Sequence, residues 1–163
     1  MPNLAKRRIV SVTIRREVDD SPDLSFIGEY GRHPEGPCAI DRQERGDMGR
    51  NEHRYFNPAM TGEETGNPDS PEQDYKRMED YNRGEWCMMG VFATADVVLT
   101  GNVVQKVRSG GLWGIESDSD EGYFTEIADE QMSELRDELK AVGFTGREIT
   151  AAFKRLTPQK GIV

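Results

Sequence analysis

The sequence predicts an α+β fold: an antiparallel sheet of four or more strands in two hairpins, backed by two to three helices and interrupted by a long polar insert. Three observations predict it. Residues 9–18 and 86–99 carry the period-two apolar pattern of strands. Residues 125–142 carry apolar side chains at spacings of three and four, the mark of an amphipathic helix. Between residues 31 and 85 Ile40 and Phe56 are the sole members of the Ile, Leu, Val and Phe set, so that stretch has little aliphatic surface to bury. At 163 residues the chain has the length of one domain, 1–163, with residues 31–69 as a loop-rich insert.

Taken in order, Val10, Val12, Ile14 and Val18 alternate with Ser11, Thr13, Arg15 and Glu17, which makes the first run a half-buried strand. Asp19 to Asp23 has turn chemistry, and Leu24, Phe26 and Tyr30 resume the period of two, predicting a hairpin. No regular structure is expected for 31–69, where Tyr55 and Phe56 are the anchoring candidates. Ser70 as N-cap, Pro71 at the first helical position and Gln73 as a capping-box partner start a helix that Gly84 stops. Trp86 to Leu99 is a long strand, Thr100 to Asn102 a turn, Val103 to Ser109 the returning strand, and Leu112 to Ile115 a short extended piece.

The next helix places Ala128, Met132, Leu135, Leu139 and Val142 on one stripe, and Gly143 with Phe144 fits a C-terminal cap. Thr145 and Glu148 form a capping box for a last short helix with Ile149, Ala152, Phe153 and Leu156 inward, ending before Pro158. No internal repeat is visible.

The formal charge is −9, and its distribution is uneven. Residues 1–60 balance; residues 116–138 hold ten acidic side chains and one basic; residues 139–163 hold five basic and one acidic. The acidic set is Glu116, Asp118, Asp120, Glu121, Glu126, Asp129, Glu130, Glu134, Asp137 and Glu138. Such a field repels nucleic acid and attracts basic protein surfaces, and the bland reading is a solvated helix face. Cys38 and Cys87 lack metal or redox spacing, and no apolar run is long enough to span a bilayer. The expectation is a cytoplasmic protein with reduced thiols and no membrane partner.

Several motifs carry candidate chemistry. The glycines of Ser109 to Gly114 resemble a phosphate cradle but lack the GK[ST] sequence and lead into carboxylates, so their expected role is to bend the backbone while Leu112 and Trp113 seal the core. Glu116, Asp118 and Asp120 resemble the front of a calcium loop, yet Gly122 stands one place late and Ile127 occupies the position of the closing Glu. His33, His53, Cys38 and Asp41 share the polar insert at spacings that match no metal or nucleophilic site. Tyr75, Tyr81 and Trp86 sit among carboxylates and are expected to pack rather than stack on bases. No catalytic residue, metal or cofactor is assigned.

The run SGGLWGIESDSD, with the following Tyr-Phe pair and the helix TEIADEQMSELRDELKAVGF, resembles a group of small uncharacterised proteins of phage, plasmid and other mobile-element genomes. The resemblance covers residues 86–144. It implies an accessory protein of a mobile element, a class that often binds a host defence component. Joined to the charge pattern, it predicts a DNA-mimic-like binding protein of the anti-CRISPR or anti-restriction type, whose acidic edge occludes a basic, nucleic-acid-handling surface. The alternatives are a small enzyme with a site between the 31–85 insert and the sheet, and a structural or assembly protein of the element.

Overall fold

The computed structural model describes residues 6–47, 50–99, 101–156 and 159–162. The fold is α+β. It divides into two compact units, Met1–Asp20 with Met88–Val163, and Ser21–Cys87; the stretch 31–69 lies inside the second.

The first unit is a five-stranded sheet with two helices. Its long strands β1 (Arg8–Val18) and β5 (Met88–Val98) pair antiparallel, with Val12 opposite Ala95 and Ile14 opposite Ala93. The register slips between Ile9 and Ser11, leaving Val10 as an extra, exposed residue. On its other side β5 pairs with β6 (Val104–Arg108) along Thr94 to Val98 and with β7 (Leu112–Glu116) along Met88 to Val91. The β5–β6 hairpin turns through Gly101 and Asn102, both at positive φ; Thr100 lies outside the described residues. The expected hairpin between the first two strands does not form, because the partner of β1 is β5. A further strand, β8 (Gln159–Ile162), runs parallel to β1. Its residues show no alternation, so pattern alone does not mark it; Pro158, read as a helix stop, lies outside the described residues.

Helix α3 (Glu121–Ala141) begins a turn earlier than its apolar spacing predicts, because the Asp120 side chain caps it by accepting the Gly122 N–H at 2.6 Å. It ends as predicted: Gly143 at φ 98° donates to the Lys140 carbonyl, and Phe144 donates to that of Leu139. Helix α4 (Gly146–Arg155) starts from the Thr145–Glu148 capping box. Ile9, Val12, Ala93, Ala95 and Val97 of the sheet meet Leu135, Leu139, Phe144, Ile149 and Ala152 in one core. Val91, Ile115, Phe124 and Ile127 form a second. The buried stripe of α3 is Phe124, Ile127, Gln131, Leu135 and Leu139. It is rotated from the expected one: Val142 is 40% exposed, and the polar Gln131 occupies an inward position.

The second unit holds a three-stranded antiparallel sheet in the order β2 (Gly28–Gly31), β4 (Tyr55–Pro58), β3 (Ile40–Asp41). A 3-10 turn at Asn51–His53, the capped turn α1 (Gly62–Thr65) and helix α2 (Ser70–Asn82) complete it. The expectation of no regular structure over 31–69 is therefore corrected. That core is not aliphatic. Phe56 is fully buried, with ring centroids 5.4 Å from Tyr75 and 5.7 Å from Tyr30, and Met78 and Trp86 are also buried. Arginines close its rim by pairing with carboxylates, Arg42 with Glu79 at 3.0 Å and Arg54 with Asp41 at 2.6 Å. A count of aliphatic residues misses a core built of aromatic rings, methionine and guanidinium stems. Helix α2 starts one residue earlier than expected: Ser70 is its first residue, and its hydroxyl bonds that of Thr65 at 2.7 Å instead of capping.

Candidate functional site

The ten acidic candidates are gathered by three pieces of the first unit: the end of β7, the turn 117–120 and helix α3. They do not all face solvent in the same way. Asp120 is the N-cap of α3. Glu121 accepts two hydrogen bonds from the Arg16 guanidinium, both at 2.9 Å, and Arg16 also lies 4.1 Å from the centre of the Phe124 ring. That pair fastens the helix start to β1. Glu134, half-buried, accepts the Gly110 N–H at 3.1 Å. Asp137 pairs with Lys140 at 2.8 Å. Glu116 ends β7, and Asp118 is exposed in the turn.

The remaining four, Glu126, Asp129, Glu130 and Glu138, are exposed and make no side-chain hydrogen bond or ion pair among the described residues. Glu126, Glu130, Glu134 and Glu138 recur every four residues, which puts them on one row of the helix at a rise of about 6 Å per step. Asp129 and Asp137 flank the same row. Six carboxylates thus span about 18 Å of helix axis, with a mean spacing of about 3.6 Å. A single strand of B-DNA carries one phosphate per about 3.4 Å of axis. Like charges at a separation of four residues oppose helix formation, by about 0.2–0.5 kcal/mol per pair. Within the row, Glu134 is the member whose side chain has a partner among the described residues.

What holds this row against the sheet is a buried polar knot that sequence reasoning missed. The Ser109 hydroxyl accepts the Ala93 N–H at 2.9 Å and donates to Gln131 Oε1 at 2.7 Å, and the same oxygen accepts the Gly111 N–H at 2.9 Å. Gln131 is buried because its carbonyl satisfies the loop where β5 passes from β6 to β7. A Gln within an acidic helix gives no hint of this until the 109–111 loop is seen beside it.

The SGGLWG segment bends as expected, with Gly111 and Gly114 at positive φ. Its apolar residues do not seal the core. Leu112 is 38% and Trp113 41% exposed, and Ile115 is the buried member. The Trp113 ring stacks on Phe92 at 6.3 Å and covers Gly90, where an added Cβ would fall 2.4 Å from the indole. Arg108 lies 3.7 Å from the Phe92 centroid.

The candidates from the polar stretch stay apart. The His53 ring packs on Tyr30 at 5.8 Å, His33 is exposed, and Asp41 is taken by Arg54. Cys38 and Cys87 are not joined to each other in a disulfide. Among the described residues no three His, Cys, Asp or Glu side chains converge to hold a metal ion, and that includes the calcium-like triad. Tyr75 and Trp86 are buried as packing, the indole N–H donating to the Arg77 carbonyl at 2.9 Å. Among the described residues no helix is long and apolar enough to cross a membrane. No family model, curated protein or solved structure matches the chain, so the assignment of this surface rests on its own geometry and charge.

Proposed function

We propose that the protein is a binding protein that presents the acidic row of α3 to a basic, nucleic-acid-handling surface of a partner protein, as an anti-CRISPR or anti-restriction accessory factor of a mobile element would. One observation carries the reading: Glu126, Asp129, Glu130 and Glu138 have no side-chain partner among the described residues, and together with Glu134 and Asp137 they line one flank of a single helix at a charge spacing close to that of one DNA strand. An arrangement that strains its own helix has its return in the field it projects. That field accelerates encounter with a basic groove and competes there with phosphate backbones. The resemblance of residues 86–144 to mobile-element proteins supplies the setting.

The test is retention of a nuclease-type partner from a bacterial lysate on the immobilised protein, washed at rising salt. The wild type should release it as salt screens the row. A variant with Glu126→Gln, Asp129→Asn, Glu130→Gln and Glu138→Gln should fold normally and bind at least about tenfold more weakly. Equal retention of that partner by the variant, without salt dependence, would sink the charge-mimic mechanism.

A further inference from the structure

The first unit also carries a region of opposite sign. A cleft of about 240 Å³ lies between the start of β1 and helix α4, lined by Lys6, Arg7, Arg8, Phe144, Glu148 and Arg155. Four of these side chains are cationic and one is a carboxylate, in a chain of net charge −9. Two of the cations are fixed in place. Arg7 donates to both oxygens of Glu148 at 3.0 and 3.3 Å and stands 5.1 Å from the Phe144 centroid. Arg155 donates through Nη2 to the Ile9 carbonyl at 3.2 Å. A guanidinium has five N–H donors, so both keep donors beyond these bonds.

The side chains of Lys6 and Arg8 are exposed and make no hydrogen bond or ion pair among the described residues. The one carboxylate is already shared, because Glu148 also accepts the Thr145 N–H at 2.7 Å and its hydroxyl at 2.8 Å. Arg155 in the last turn of α4 is favoured by the helix dipole; that argument does not reach Lys6 or Arg8, which precede and open β1.

We propose that this cleft binds the terminal phosphate or diphosphate of a small phosphate ester. The excess of positive charge calls for a polyvalent anion, and one phosphate group brings about −1.5 to −2 at neutral pH. Oriented guanidinium forks match its oxygens in pairs. The volume is below the roughly 300–1,000 Å³ of drug-sized sites, which suits a phosphate end and little of what it is attached to. The Phe144, Ala151 and Ala152 side of the cleft offers the attached group an apolar wall.

Calorimetric titration with inorganic pyrophosphate and with ADP at fixed ionic strength tests the assignment. Both should bind. Equal affinity means that the phosphate end is read alone, and tighter ADP binding means that the attached group also seats; either supports the site. The variant Lys6→Gln/Arg8→Gln, whose changes lie on exposed positions, should keep its thermal midpoint and bind at least about tenfold more weakly. Glu148→Gln keeps the capping-box geometry, frees Arg7 and should bind tighter. The exposed Glu63→Gln makes the same change of net charge in the other unit and should leave affinity alone. Binding of neither probe, wild-type affinity in the double variant, or equal tightening by Glu63→Gln and Glu148→Gln would each overturn the proposal.

Discussion

The residues whose chemistry departs most from that of a free side chain are in the second unit, around Arg42. Tyr30 donates to Glu79 Oε1 at 2.6 Å and accepts from Asn82 at 2.8 Å, Arg42 donates to the same Glu79 oxygen at 3.0 Å, and Tyr75 donates to Asp47. Burial, reinforced by the Asp47 carboxylate, pushes the Tyr75 hydroxyl up to about 12. Burial and Glu79 likewise raise that of Tyr30. A phenol with a raised folded-state pKa lends stability that is complete below the unfolded value of about 10 and is lost as pH climbs through the folded one. The urea midpoint should therefore fall between about pH 10 and pH 12. Tyr75→Phe, though weaker at pH 8 for want of the Asp47 bond, should fall less steeply across that window. An equally steep fall in both proteins would mean that Tyr75 titrates like a free phenol. Gly28 shows the other kind of constraint: at φ 153° an added Cβ would sit 2.5 Å from the Asn57 carbonyl oxygen, so the β2–β4 pair closes only over glycine.

At the scale of elements, α3 separates its duties by face. Leu135 and Leu139 are wholly buried in the sheet–helix core, and replacing either with Ala should cost about 2–5 kcal/mol. Val142, nearly in line with them in sequence pattern, is exposed, and its change to Ala should cost under about 0.5 kcal/mol. Denaturant unfolding of the three variants separates the observed stripe from the one that apolar spacing suggests; a large loss at Val142 would restore the latter. Neutralising the outward Glu row changes no buried contact except at Glu134, whose bond to Gly110 ties the helix to the β6–β7 loop. That is why the binding variant leaves Glu134 untouched.

For the whole molecule, the charge map is the main organising fact: an acidic row along α3 and a basic cleft beside α4 share one unit, while the other, with fifteen acidic and eight basic side chains, pairs arginines locally with carboxylates and keeps an excess of carboxylate. The two surfaces fail independently, since the variants that test one leave the other intact. In the second unit, Gln43 to Gly46 and Arg50 to His53 are exposed and outside any sheet ladder, so limited trypsin digestion should cut first within residues 43–53. First cleavage inside β1, β5 or α3 instead would contradict the packing described above.

The sequence by itself determined the α+β class, both long strands, the β5–β6 hairpin, helices α2, α3 and α4, and the caps at Gly143 and Thr145. These depend on periodicity and on local backbone chemistry, which neighbours in the chain control. It also determined the acidic helix, because charge is additive along the chain. Tertiary structure alone decided that β1 pairs with β5 rather than with the strand that follows it, since register and partner are set by which faces bury together. It also decided that β8 joins the sheet and that residues 21–87 fold around Phe56 with arginine-paired rims. Gln131 turned inward for the same kind of reason: a polar side chain is buried where distant backbone groups need its oxygen, and those groups, at Ser109 and Gly111, lie some twenty residues away in the chain.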